Sequence, residues 1–316
     1  MAQIPIWSKT KTGIAFSDVP TVQGGKTPVF CIIGTAKGGT SSLNAYLDKH
    51  PSIFMCPLKE PNYFSTPVML ARGDQWYRGL YADASEAQIC GEASTSYTRY
   101  PAVTGTAQRM AKANPQMKII YCVREPVART ESDCLQVLKY VRSVLGQDYT
   151  SVSLDEFYRL LCDPNHEFYC APRETSMYAD QLAQYEEYFH KDQIKIVDAA
   201  QLSRKTQSVV EDILAFLGLA PSDAIDFAAR QNVTADFTDA LREERGLDPY
   251  RGSPLYALAK TLLPDRVRAR LRKRIAKSVD IDHLRFSDAL RDHLRVEFKE
   301  PNARLRHRYG LTLEHW

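Results

Sequence analysis

The stretch Phe30–Leu47, FCIIGTAKGGTSSLNAYL, reads as an apolar strand, a glycine loop and the start of a helix. Strand, loop and helix in that order build an anion site, because the loop and the helix N-terminus point backbone N–H groups at one place. A Walker loop would be G-x-x-x-x-G-K-[ST]. Gly34 and Gly39 keep that spacing, but Thr40 stands where the lysine belongs and the lysine lies inside the loop as Lys37. Gly38 and Gly39 allow close backbone approach, and Thr40, Ser41 and Ser42 add hydroxyl donors at the first helical turn. Lys37 is placed to reach the far side of a bound group, toward an oxygen that gains charge as a bond breaks.

Outward from this loop the pattern is α/β. Val29–Ile33, Gln88–Glu92, Lys118–Pro126 and Gln193–Leu202 read as strands, with Lys118–Pro126 the clearest. Thr40–Lys49, Pro101–Lys112, the run from Pro126 to about Tyr140, and Val209 to an end at Gly218 read as helices. The alternation predicts a P-loop-like parallel sheet flanked by helices. A helical C-terminal extension follows from about Pro254, and residues 1–28 read as an extended arm before one domain at 29–316.

Composition narrows the function. The 316 residues are 44% hydrophobic and 25% charged, an ordinary globular balance, and the net charge of +3 is too small to argue for nucleic acid. Seven cysteines without a C-x-x-C are read as buried free thiols; a Cys162–Cys170 bridge is conceivable but spacing does not establish it. The histidines form no metal-ligand constellation, so no metal is expected. With no apolar leader and no run of about 18 apolar residues, the expectation is a soluble, cytoplasmic protein without stable membrane insertion.

A second anion site follows the clearest strand. In REPVARTES, Arg124 lies at the strand end and Ser132 two turns into the next helix, so a guanidinium and a hydroxyl can clamp a second phosphate. Two such sites on one sheet suit a nucleotide phosphorylated on both its 5′ and 3′ sides.

These motifs resemble the sulfotransferases that use 3′-phosphoadenosine 5′-phosphosulfate (PAPS). Members carry a Lys-Gly-(Gly/Thr)-Thr loop after the first strand, as Lys37–Thr40 do, and later R-x-P-x-x-R-x-x-S, as Arg124, Pro126, Arg129 and Ser132 do. The resemblance implies that the first loop binds the 5′-phosphosulfate and that the Arg/Ser pair binds the 3′-phosphate, leaving 3′,5′-adenosine bisphosphate as product. HPSIFMCPLKEPNYFS, His50–Ser65, is similar to the segment of the Golgi heparan-sulfate-type branch whose K-E-P-x-x-F supplies the catalytic glutamate. GEASTSY, Gly91–Tyr97, resembles that branch's next substrate-side loop, with Ala93 where some relatives have lysine. SMYADQLAQYEEYF, IKIVDAAQL, ILAFLGL and the terminal NARLRHRYGLTLEHW match in order. Many relatives carry a glycine-rich, lysine-bearing nucleotide loop after the FLGL position; NVTADFTDALREERG stands there instead.

The implied activity is O-sulfation of a hydroxyl acceptor by a bacterial-type enzyme, with Lys37 assisting the leaving oxygen and Glu60 as base. Glu92 is the reserve carboxylate, and Lys59, Tyr97 and Tyr178 are acceptor-side candidates, with Tyr63 and Phe64 beside them. His50, the residue type used by the cytosolic small-molecule branch, reads instead as a structural cap before Pro51. The basic run Asp265–Lys277, with seven Lys/Arg, reads as a solvated helix face or a rim for an anionic acceptor. The competing readings are a P-loop kinase for a small metabolite, disfavoured by Lys37 and Thr40, and a non-catalytic nucleotide- or glycan-binding relative, disfavoured by Lys37 with Glu60.

Overall fold

The computed structural model describes residues 24–144, 149, 152–227, 284–313 and 316. The sequence-predicted arm up to Gln23, the substituted loop 232–246 and the basic run 265–277 therefore lie outside the described residues. Five parallel strands form one sheet in the order β2-β3-β1-β4-β5: β1 Phe30–Gly34, β2 Ile53–Met55, β3 Ile89–Ala93, β4 Lys118–Val123 and β5 Ile194–Asp198. Helices flank this P-loop-like sheet, and a helix at Asp288–Tyr309 follows near the C-terminus. Every strand runs the same way, so every strand leaves the sheet at one edge, with β1 central between β3 and β4. In open sheets of this kind ligands bind outside that C-terminal edge, where the strand order reverses.

Strand residues alternate between two cores, as a period of two requires. Cys31, Ile33, Ile119, Tyr121 and Val123 pack with Met110, Tyr178, Leu182 and Tyr185 on one face. Phe30, Ile32, Ile120 and Cys122 pack with Leu43, Leu47, Val210, Ile213 and Leu214 on the other. Helix α1, Thr40–Leu47, is held to the sheet through Leu43 and Leu47, both fully buried. Each such leucine contributes at most about 1.5–3 kcal/mol, which anchors the helix whose N-terminus closes the loop. A third cluster joins the long helix Pro126–Val144 to Leu154–Cys162 and to the C-terminal helix through Leu138, Phe157, Leu294 and Phe298.

Several element boundaries differ from the sequence expectation. The expected helix at Pro101 begins at Thr106, because Pro101 sits in a turn and Gly105, with φ 71°, is the N-cap. The expected strand to Leu202 stops at Asp198, whose carboxylate accepts the Ala200 N–H at 3.0 Å and starts a helix at Ala199. β2 is absent from the strands read in the sequence: it is three residues long at the sheet edge, too short to show a period. All seven cysteines are free thiols, Cys162 and Cys170 included. Among the described residues no helix is long and apolar enough to cross a membrane.

Candidate active site

The loop after β1 turns tightly against β4. Thr35 N–H donates to the Cys122 carbonyl at 2.7 Å, and Gly38 N–H donates back to Thr35 O at 3.0 Å. A Cβ on Gly38 would lie 2.7 Å from Cys122 O and 2.9 Å from Thr35 Cγ2, so only glycine fits. Lys37 and Gly39 are both left-handed, with φ 69° and 88°. For a lysine that conformation costs on the order of 1 kcal/mol, and here it turns the side chain out of the strand direction. Gly39 is the N-cap of α1, which has no acidic residue in its first turn. Thr40 is buried there, and Ser41 and Ser42 are part-exposed beside it.

Arg124 leaves the end of β4 beside this loop, and its Nη1 donates to Lys37 O at 3.4 Å. Tyr178, fully buried, donates its hydroxyl to Arg124 O at 2.6 Å. Glu125 caps the next helix, accepting Val127 N–H at 3.1 Å and Ala128 N–H at 2.6 Å. Ser132 is half-buried in that helix, on the turn after Arg129. Burial depresses the ammonium pKa of Lys37; Asp133 opposes this, while the cations Arg124 and Lys139 add to it. Among the described residues the Lys37 side chain has no hydrogen-bond or ion-pair partner.

Arg129, part of the same sequence motif, goes elsewhere. It is fully buried, donating to Ser176 Oγ at 2.6 Å, to the Pro172 carbonyl, and to Asp133 Oδ2 at 3.2 Å. Arg99 completes the cluster with 2.9 and 3.2 Å bonds to both Asp133 oxygens. Burial alone would raise the Asp133 pKa, but the two guanidiniums outweigh it and hold the carboxyl below its ordinary range. Two cations and one anion thus lie sealed beneath the donor-side loops. Sequence reading missed Arg99 and Asp133, since nothing local distinguishes them from surface charges.

Glu60 lies in the segment after β2, part-exposed at 17%, with Lys59 Nζ 3.5 Å from Oε1 and Thr95 Oγ1 donating to Oε2 at 3.2 Å. Glu60 and Asn62 are both left-handed, with φ 58° and 52° on either side of Pro61. The Asn62 amide holds this kink by donating to Glu60 O at 2.8 Å. Thr95 was not singled out by sequence, although it lies inside the flagged GEASTSY run.

The acceptor-side candidates Glu92, Tyr97 and Tyr178 are only 1%, 4% and 0% exposed, so little of their surface is open in this structure. Glu92 Oε1 accepts the hydroxyls of Tyr77 at 2.6 Å and Tyr97 at 2.9 Å, and Oε2 accepts Ser94 Oγ at 2.8 Å. Burial pushes its carboxyl pKa up, and these three donors restrain the rise. Tyr63 and Phe64 also pack inward, Tyr63 stacking on Tyr77 at 4.3 Å. His50 is structural, as expected: its Nδ1 accepts Ser52 N–H at 3.1 Å and its Nε2 donates to Ala220 O at 3.0 Å. No group of three or more His, Cys, Asp or Glu among the described residues is arranged to hold a metal ion.

A family model described as a sulfotransferase domain matches residues 27–288. Heparan sulfate glucosamine 3-O-sulfotransferase 5 of Mus musculus is 32% identical over 198 residues, covering 61% of this chain and 54% of its own. The human protein of the same name is 31% identical over the same length. The chain therefore spans about half the length of these curated relatives. A solved sulfotransferase from Alicyclobacillus acidocaldarius is 26% identical with a TM-score of 0.61, covering 92% of this chain and 99% of that one.

Proposed function

The chain belongs to the sulfotransferase family, and from that premise we propose that it moves a sulfuryl group from PAPS to a hydroxyl of an acceptor. The observation that carries this reading is the side-by-side placement of Lys37 and Arg124 at the ends of neighbouring central strands, joined by the 3.4 Å Arg124–Lys37 contact.

In this proposal the loop amides at Gly38–Thr40 and the hydroxyls of Thr40, Ser41 and Ser42 take the 5′-phosphosulfate. Arg124 and Ser132 take the 3′-phosphate. The acceptor oxygen attacks sulfur in line, and the bond from sulfur to the bridging phosphate oxygen breaks. Lys37 faces the leaving oxygen, where charge develops only during transfer, so its attraction lowers the barrier more than it tightens ground-state binding. Glu60 takes the acceptor's proton. Its part-exposed carboxylate, held at Oε2 by Thr95 and flanked by Lys59, supports that assignment. The leaving group is 3′,5′-adenosine bisphosphate.

A P-loop kinase is disfavoured, since Thr40 occupies the lysine position of such a loop. Similarity to glucosaminyl 3-O-sulfotransferases favours a glycan hydroxyl over a lipid-linked or natural-product one as the first acceptor class to assay. The single domain 29–316, the bacterial-type origin and the cytoplasmic location belong to the same proposal; cell fractionation tests the last.

The decisive assay is transfer of labelled sulfate from PAPS to a glycan panel, compared between wild type and Glu60→Gln. The substitution keeps shape and cannot take a proton. It is expected to lower kcat by about 10²-fold or more while leaving 3′,5′-adenosine bisphosphate affinity unchanged. Wild-type turnover in Glu60→Gln would remove the residue from the chemistry, and labelled phosphate transfer from ATP in place of sulfate would restore the kinase reading.

A further inference from the structure

The segment carrying Glu60 has little regular structure of its own, yet its backbone is fixed by side chains from the end of β3. Asn62 N–H donates to Ser94 Oγ at 3.1 Å, and that hydroxyl donates onward to Glu92 Oε2 at 2.8 Å. Phe64 N–H donates to Tyr97 OH at 3.3 Å, and that hydroxyl donates onward to Glu92 Oε1 at 2.9 Å. The pattern is the same twice: a backbone amide of the 60–64 segment, a hydroxyl that accepts it, and one carboxylate that accepts the hydroxyl's proton. Each hydroxyl has a single proton to give. A carboxylate accepts without donating, so it draws both protons toward itself and leaves both hydroxyl lone pairs facing the amides. Tyr77 OH, at 2.6 Å, gives Glu92 its third donor.

The geometry points to Glu92 as a positioning residue: through Ser94 and Tyr97 it orients the backbone of the 60–64 segment and so sets the aim of Glu60. Two further contacts act in the same direction. Ser96 Oγ donates to Asn62 Oδ1 at 2.5 Å, and the Asn62 amide returns to Glu60 O at 2.8 Å, across the two left-handed residues. Arg109 Nε closes the far end by donating to Phe64 O at 2.6 Å. Glu92 thus sits at the hub of a network that needs an acceptor at its centre, which explains a buried carboxylate whose three hydrogen-bond donors are neutral hydroxyls. This role rests on the reading of Glu60 as the base, and it replaces direct contact between Glu92 and the acceptor.

Hydrogen exchange separates the two claims, because it does not depend on turnover. In Ser94→Ala the Asn62 amide loses its acceptor, so peptides covering 58–66 are expected to exchange faster while those covering β1 and β4 stay at wild-type rates. Activity is expected to fall by about 10²-fold in kcat, as misplacement of a reacting group by an ångström does, with unchanged affinity for 3′,5′-adenosine bisphosphate. Tyr97→Phe, which removes only the second path, is expected to speed exchange over the same peptides by less. Glu92→Gln keeps an acceptor oxygen for the tyrosines and can donate to Ser94 Oγ, so it is expected to stay within about tenfold of wild type.

Unchanged exchange over 58–66 in Ser94→Ala overturns the relay. Faster exchange across the whole chain overturns it too, since that marks general destabilisation. Complete loss of activity in Glu92→Gln with native exchange would mean the carboxylate acts by its charge or its proton, and would also overturn it. If the exchange pattern holds while wild type transfers no sulfate, the relay stands and the proposed function fails.

Discussion

The two halves of the candidate site are built in opposite ways. On the donor side, Lys37, Arg124 and Ser132 are part-exposed, and the Lys37 and Ser132 side chains have no hydrogen-bond partner among the described residues. On the acceptor side, the residues around Glu60 spend their polar groups on one another: Ser94, Thr95, Ser96 and Tyr97 all donate inward, to Glu92, Glu60 or Asn62. On the proposed assignment, the difference follows from what each half would hold. Phosphate groups bring their own charge and hydrogen-bond acceptors, so a donor site keeps its donors uncommitted. A neutral hydroxyl brings little binding energy, so a base must be aimed in advance by the protein.

A buried ion cluster lies close to the donor side, near enough for Asp133 to act on Lys37. Arg129 shares a motif with Arg124 but is spent on Asp133, Ser176 and Pro172. Breaking that cluster gives the largest expected effect. Arg129→Met leaves Asp133 buried with Arg99 as its remaining partner, and removing one member of a buried ion cluster costs about 3–5 kcal/mol. Urea unfolding measures it. A loss below about 1 kcal/mol, within the range of surface pairs, would mean that the cluster is not a structural base and that the contrast between the two arginines is misdrawn. The direction with pH is fixed by Asp133: its folded pKa lies below the unfolded one, so its contribution is present above the unfolded carboxylate range and is lost as pH falls through the folded value.

The donor half was legible in the sequence because it is local. Lys37 to Ser42 lie within six residues, and Arg124 to Ser132 within nine, each at the end of a strand whose apolar run is plain. The acceptor half was legible only in part. Glu60 was found through the K-E-P resemblance, but Thr95 and Ser94 reach it or its segment from more than thirty residues away, and no periodicity encodes such a pairing. Glu92 was read as a reserve carboxylate, but its burial among three hydroxyls was not legible, since its sequence neighbours do not say which way a strand-end side chain turns. The capping box at Ser153 and Glu156, with Ser153 Oγ accepting Glu156 N–H at 3.2 Å, is written openly in SLDE and marks the start of Leu154–Cys162, a helix absent from those read in the sequence.

A smaller effect sharpens the comparison within the donor half. If Arg124 and Ser132 hold the 3′-phosphate, Arg124→Ala weakens 3′,5′-adenosine bisphosphate by about 1.5–3 kcal/mol, as a hydrogen bond to a charged group does, and Ser132→Ala by about 0.5–1.5 kcal/mol. Neither should change affinity for adenosine 5′-phosphosulfate, which lacks that phosphate. Calorimetric titration of both nucleotides decides it. Equal losses for the two would show that these residues support the loop and not the phosphate.

The smallest effect concerns Lys37 and is read in protons. Burial, with the nearby cations Arg124 and Lys139, disfavours its ammonium in the free protein, against the pull of Asp133. Its folded pKa therefore lies below the ordinary lysine value, so the free protein is the more stable the further pH rises through that folded value toward the unfolded one. A bound phosphate adds negative charge beside the ammonium and must raise the pKa again. By linkage, binding of 3′,5′-adenosine bisphosphate takes up a fraction of a proton in the alkaline range between the free and bound values, and affinity falls as pH rises through the free one. Titrations at pH 7 and about pH 9 in two buffers of different ionisation heat measure that uptake directly. It is expected to grow between the two pH values in the wild type and to vanish in Lys37→Ala. Uptake that persists undiminished in Lys37→Ala would place the titrating group elsewhere, and would take from the donor half the cation on which the contrast with Glu60 depends.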